Sequence, residues 1–228
     1  MDLISGLCGE LFTMKYEKKI PSPTLKRLPI YYRSLSALMQ LGIQRISSRD
    51  LSNIMGITPS QVRQDFSNFG SAGLQGYGYD VQSLHREIHK LLGMHIVQNV
   101  IIIGSGSLGQ ALAKHSDFEK KGFKITGIFD INPQLIGKRI RDIEIKHLDT
   151  LGEFVQNNRV DIAALTVPEA YANEVASFII SLGIKGIWNF APIELKVPAG
   201  VSVENIHLSD SLMILGYKLI ENDKETNN

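Results

Sequence analysis

A single cysteine, Cys8, stands in 228 residues. One thiol excludes an internal disulfide framework and a thiolate metal site, so no metal is expected and nothing here depends on an oxidising compartment. No apolar run approaches the roughly 18 residues that a membrane span needs. The first residues also lack the basic start and apolar stretch of a secretory signal, so the expectation is a cytoplasmic protein with no membrane contact. Hydrophobic residues make up 43% of the chain, enough for one large domain or two modest cores.

The formal net charge is only +1, yet it is unevenly spread. Residues 1–98 hold 11 Lys and Arg against 7 Asp and Glu, a surplus of +4, whereas residues 99–228 hold 13 against 16, a balance of −3. A basic front and an acidic rear suit a chain whose first part meets a polyanion.

In the front part, Leu25, Leu28, Tyr31, Tyr32, Leu35, Leu38 and Met39 recur at helical spacing from Thr24 until Gly42. Ser47 and Asp50 then form a capping-box start for a two-turn helix with Leu51, Ile54 and Met55 on its apolar face and Gly56 at its end. Three residues later Thr58 caps a second helix, Pro59 takes its first position, and Gln61 is placed to reach back as a second capping box. A short helix, a tight turn and a second helix make a helix-turn-helix, whose second member enters the DNA major groove. Val62, Phe66 and Phe69 face the core, which leaves Ser60, Gln61, Arg63, Gln64 and Ser67 for base edges and phosphates, with the cap Ser47 beside them. The glycine-rich "GSAGLQGYGYDV" reads as a hairpin, hence a wing, carrying Gln75 and Tyr77. Asp80 caps a further helix with Leu84, Ile88 and Leu91 that ends at Gly93.

The rear part opens with "NVIIIGSGSLGQALA", a buried strand running through a glycine turn into a helix. Gly104, Gly106 and Gly109 have the G-x-G-x-x-G spacing; with Ser105, Ser107 and Leu108 they would cradle a pyrophosphate at the helix N-terminus. Asp130 ends the next strand 21 positions after Gly109, where an acid takes the ribose hydroxyls, and Ile131 follows it. A carboxylate there would repel a 2′-phosphate, favouring NAD over NADP, although the basic run Lys138, Arg139, Arg141 argues the other way. Further strands at 161–167 and 184–190 give a doubly wound parallel sheet. Their trailing segments place Thr166, Val167, Pro168, Asn189, Phe190, Ala191 and Pro192 at the ligand edge of that sheet. The last helix carries Leu208, Leu212, Leu215 and Leu219, a face for its own sheet or for a second subunit.

The fold class is therefore α/β: an N-terminal winged helix-turn-helix domain over 24–93 and a Rossmann-like sheet domain over 94–206. An N-terminal extension at 1–23 and a tail at 223–228 are expected to be flexible, with a C-terminal helix at 207–222. Two functions fit these parts. One is a DNA-binding regulator that reads a dinucleotide; the other is a small NAD-dependent oxidoreductase with an accessory helical domain. Residues 99–222 are used up by the nucleotide fold, and Tyr171 is followed four positions later by Val175 where a short-chain hydride-transfer pair would have lysine. His115 and His207 can act as acid or base but have no evident catalytic partner, so no residue is assigned a catalytic role.

The motifs "LKRLPIYYRSL", "VRQDFSNFGSAGLQGYGYDV", "GSGSLGQAL", "FDINP", "LTVP", "GIKGIWNFAP" and "VPAGVSVENI" resemble the Rex family of bacterial redox-sensing transcriptional repressors over most of residues 25–220. The resemblance implies a homodimer with exchanged C-terminal helices, forming a C-terminal dimerisation helix, bound to an inverted-repeat operator in double-stranded DNA and released when NADH binds, with NADH/NAD⁺ as the regulatory ligand. It also implies that Arg33 is an interdomain switch and that Leu208 of one subunit closes the other's nicotinamide pocket. In this chain His115 stands where members tend to have tyrosine near the nicotinamide, His207 where they have an acid before the last helix, and Gln75 at the often basic wing tip.

Overall fold

The computed structural model describes residues 20–70 and 77–226, and the chain divides into two compact units between His95 and Ile96.

In the first unit, α1 (Ser22–Gln40) starts two residues ahead of the expected Thr24. Pro21 stands at its N-cap and a further proline in its first turn, where a missing N–H is no loss. Its buried stripe is Thr24, Leu28, Tyr31, Leu35 and Leu38, alternating four and three residues apart. Leu25 and Met39, expected on that stripe, lie beside it and stay 49% and 38% exposed. A short strand β1 (Arg45–Ile46) leads into α2 (Ser48–Met55), which Ser47 caps through Asp50 N–H and Gly56 ends in the left-handed conformation. Three residues separate α2 from α3 (Pro59–Asn68), and the last of them, Thr58, caps that helix by accepting from Gln61 N–H. Strand β2 (Tyr79–Asp80) pairs antiparallel with β1, and Asp80 caps α4 (Val81–Leu91). The β1 strand is absent from the periodicity because two residues carry no pattern. Residues 71–76, most of the expected hairpin with Gln75, and Cys8 lie outside the described residues. Leu28, Tyr31, Leu35, Leu51, Val62, Phe66 and Ile88 form the fully buried centre of this unit.

In the second unit β3 (Gln98–Ile103), β4 (Phe123–Asp130), β5 (Arg139–Ile140), β6 (Ile143–His147), β7 (Ile162–Leu165), β8 (Gly186–Asn189) and β9 (Ser202–Asn205) form one sheet in the order β5-β6-β4-β3-β7-β8-β9. All neighbours are parallel except the β5–β6 pair. This is the doubly wound order, with the strand order reversing between β3 and β7. Alternation along β3 separates the cores: Ile101 and Ile103 pack with Phe129, Leu165 and Ile179 on one face, Val100 and Ile102 with Ile128 and Ala113 on the other. Helices α5 (Ser107–Lys114), α6 (Asp117–Lys120), α7 (Leu151–Asn157) and α8 (Glu169–Ser181) connect the strands. The β5–β6 hairpin, turning at Arg141 with φ +53, was not expected from the sequence.

The last helix, α9 (Leu208–Thr226), runs four residues into the expected tail. Its apolar side chains do not settle on their own sheet: Leu208, Leu212, Leu215 and Leu219 are all more than half exposed.

Candidate ligand cleft and nucleic-acid interface

The glycine loop sits at the reversal point. Gly104 has φ +96, and a Cβ on it would come within 2.7 Å of the Thr166 carbonyl oxygen. Gly109 packs its Cα against the Gly104 carbonyl, where no Cβ fits. Gly106 differs: a Cβ there would meet nothing within 4 Å, so the backbone faces open space at the start of α5. The three glycines thus divide the tasks of turn, approach and packing as their spacing predicts. Thr166 fastens the loop by donating its hydroxyl to the carbonyls of Gly104 at 2.7 Å and Ile103 at 3.1 Å.

Asp130 lies at the end of β4, and its Oδ2 accepts from both the backbone N–H and the hydroxyl of Ser105. Its Oδ1 accepts from Asn132 N–H at 2.8 Å. Burial pushes this carboxyl up, but these hydrogen bonds outweigh it and hold the group below its ordinary range, as a carboxylate at neutral pH.

A cleft of about 690 Å³ opens here and gathers Gly104, Gly106, Leu108, Asp130, Ile131, Thr166, Val167, Pro168 and Phe190. It also includes Leu148, Tyr171, Glu174 and Val175, which the sequence reading did not assign to it. The spacing of Tyr171, Glu174 and Val175 on one side of α8 was the available signal. Other expected residues have different tasks. Ser105 is buried beneath the loop as the partner of Asp130, while Ser107 is exposed at the start of α5. The Asn189 amide is wholly buried; it donates to the carbonyls of Ala191 and Ile193 and to Asn205 Oδ1, and accepts from Ala191 N–H. That carboxamide shapes the loop from within the core and presents no surface to the cleft. Ala191 is buried and Pro192 exposed, and neither lines the cleft. His115 stands at the far end of α5, outside the cleft, 4.7 Å from the Phe118 ring. From Phe118 edge-to-face contacts run through Trp188 at 5.5 Å to Phe190 at 4.5 Å. His207 lies just before α9, 3.6 Å from Glu194. Two of the basic run have protein partners: Arg139 donates to the Asp142 carbonyl in the hairpin, and Arg141 pairs with Glu119 of α6 at 3.1 Å.

On the first unit, Ser60, Arg63, Gln64 and Ser67 form an exposed polar face of α3 opposite buried Val62, Phe66 and Phe69. Arg63 donates to Ser48 Oγ at 3.2 Å, at the start of α2 and next to the Ser47 cap. Gln61 does not close a second capping box; its amide donates along the helix to Asp65 at 3.1 Å. Asp65 itself was missed. It is fully buried, and Arg27 grips it through Nε at 2.6 Å and Nη2 at 2.7 Å. Tyr77 is 72% exposed, with the unassigned Arg45 guanidinium 6.0 Å from its ring centre. Arg33 is exposed on α1. Among the described residues no helix is long and apolar enough to cross a membrane, and no group of three acidic, His or Cys side chains could hold a metal ion.

A helix-turn-helix with a polar outward face, followed by a doubly wound dinucleotide fold, defines a ligand-responsive transcription regulator. Residues 19–67 match a family described as putative DNA-binding protein N-terminus, and residues 95–193 one described as CoA binding domain. The chain is 50% identical over 204 residues to the redox-sensing transcriptional repressor Rex of Clostridioides difficile strain 630, covering 90% of this chain and 97% of that one. Crystal structures of RSP, a Rex-family repressor, are similar throughout. Its complex with β-NAD⁺ and operator DNA has a TM-score of 0.84 at 47% identity, covering 92% of this chain and 97% of that one. Its complex with β-NADH has a TM-score of 0.85 at 45% identity, covering 92% and 99%. The chain belongs to the Rex family of redox-sensing transcriptional repressors.

Proposed function

We propose that this protein is a cytoplasmic homodimer that binds an inverted-repeat DNA operator through α3 and leaves it when NADH fills the cleft. The observation that carries the reading is the Ser105–Asp130 pair beneath an open Gly106 backbone: a pyrophosphate approach and a ribose acceptor joined in one loop. Asp130 takes the adenosine ribose and disfavours a 2′-phosphate, and with Arg139 held to the Asp142 carbonyl and Arg141 to Glu119 the preference is for NAD(H) over NADP(H).

NAD⁺ and NADH differ only at the nicotinamide, cationic when oxidised and neutral when reduced. An apolar wall at Phe190, closed by Leu208 from a second subunit, penalises a buried cation and favours NADH. His115, which reaches Phe190 through the Phe118 and Trp188 rings, and His207 modulate it. Arg33, on the helix that carries α3's buried support, relays closure to the DNA-binding unit. The second subunit is supported by the uncovered apolar face of α9, which the chain's own sheet leaves exposed. An almost complete switch requires roughly 5.5 kcal/mol of differential affinity between the closed and DNA-competent dimers.

Trp188, the sole tryptophan, lies one ring away from the cleft through Phe190, so it reports on occupancy directly. Adding NADH should quench Trp188 emission and excite NADH fluorescence by energy transfer, and NAD⁺ should compete the signal away. Absence of transfer at saturating NADH would overturn the reading.

A further inference from the structure

Asp65 points away from the polar face of α3 into the unit's core, with no exposed surface, and receives five hydrogen bonds. Three residues of α1 supply four of them: Thr24 Oγ at 3.0 Å, Arg27 twice, and the Tyr31 hydroxyl at 2.9 Å. The fifth comes from Gln61 on α3 itself at 3.1 Å. Asn68, one turn further along at the end of α3, donates to Thr24 Oγ at 2.9 Å, so the last two turns of the helix are tied to α1. The Arg27 side chain keeps 22% of its surface in solvent, yet its fork is committed to the carboxylate.

Apolar packing alone would hold α3 to α1: Val62 and Phe66 are fully buried, and the Tyr31 and Phe66 rings lie 4.9 Å apart. Such packing tolerates rotation and sliding, whereas a bidentate guanidinium–carboxylate pair fixes distance and angle together. A buried ion pair adds little net stability over apolar residues of similar size, and its attested use is to select one arrangement. The outward residues of α3 must meet base edges in a fixed register, so this is where one arrangement matters.

We infer that Asp65, clamped by Arg27, is a positioning residue for operator recognition: it sets the rotation and depth of α3, so that sequence discrimination depends on it separately from its contribution to stability. Gln61 then belongs to the clamp and leaves the reading set to Ser60, Arg63, Gln64 and Ser67. This rests on the DNA-binding reading above.

The test uses the full chain, an inverted-repeat duplex selected by the wild-type protein from a random library, and a scrambled duplex of equal length. Failure of the wild type to select any sequence would count against DNA recognition itself. With selection established, Asp65→Asn should lower affinity for the selected duplex at least tenfold and for the scrambled duplex less than twofold, with NADH binding unchanged. The paired replacement Arg27→Met with Asp65→Leu removes both charges and should restore the melting temperature without restoring discrimination. Recovery of both in the double variant would reduce the pair to a stabilising contact and overturn the inference, as would unchanged discrimination in Asp65→Asn. Should that single variant fail to fold, the double variant decides alone.

Discussion

Ser105 donates its hydroxyl to Asp130 Oδ2 at 2.7 Å, which joins the glycine loop after β3 to the end of β4. The carboxylate therefore serves the loop as well as, in the proposed reading, the ribose. Asp130→Ala should weaken NADH binding by about 1.5–3 kcal/mol, the range for a hydrogen bond to a charged group, while ligand-free operator binding persists. Calorimetric titration alongside a DNA-binding assay checks this, and loss of both would make Asp130 a structural residue.

Gly106 and Gly109 should respond oppositely to the same small change. Gly106→Ala adds a methyl group into open space, so melting should be unchanged while NADH affinity falls at least tenfold. Gly109→Ala drives a Cβ into the Gly104 backbone and should destabilise the unit by about 2 kcal/mol or more. Thermal melts and NADH titrations of the two variants separate these outcomes.

Arg63 is exposed and donates only to a surface hydroxyl, that of Ser48, so its removal should not disturb the fold. Arg63→Ala should weaken operator binding and reduce the slope of log affinity against log salt by about 1 if it meets a phosphate. An unchanged slope would assign the contact to a base edge.

Leu215 is 52% exposed on α9. If a second subunit covers that face, Leu215→Glu should convert the dimer to a monomer, read by sedimentation, and abolish tight operator binding.

The Asp65 carboxyl is driven up by burial and down further by Arg27, Tyr31, Thr24 and Gln61, for a net depression. A depressed folded-state value means its stabilisation is complete above the unfolded value of about 3.9 and is lost as pH falls through the folded one. Melting of the DNA-binding unit should therefore be insensitive to this group from about pH 5 to 8 and drop below about pH 4, less steeply in Asp65→Asn.

Elements with long or strict patterns were legible in the sequence. The four-and-three spacing of α1, the capping signals of α2 and α3, and the glycine loop all lie where local chemistry puts them. What escaped was set by distant partners. Asp65 looked like one polar residue on a polar helix because its partners lie 34 to 41 positions away on α1. Asn189 looked like a ligand contact because its strand end is a ligand edge, whereas its amide is consumed by the loop that follows. The two-residue strand β1 exists only through its pairing with β2.

The central claim is that the dinucleotide is a signal read by its redox state. A gel-shift titration of the wild-type protein on its inverted-repeat operator, with NADH, NAD⁺ or no nucleotide, tests it most directly. The account predicts that NADH releases the DNA while NAD⁺ leaves the complex intact; equal effects of the two nucleotides on operator affinity would contradict it.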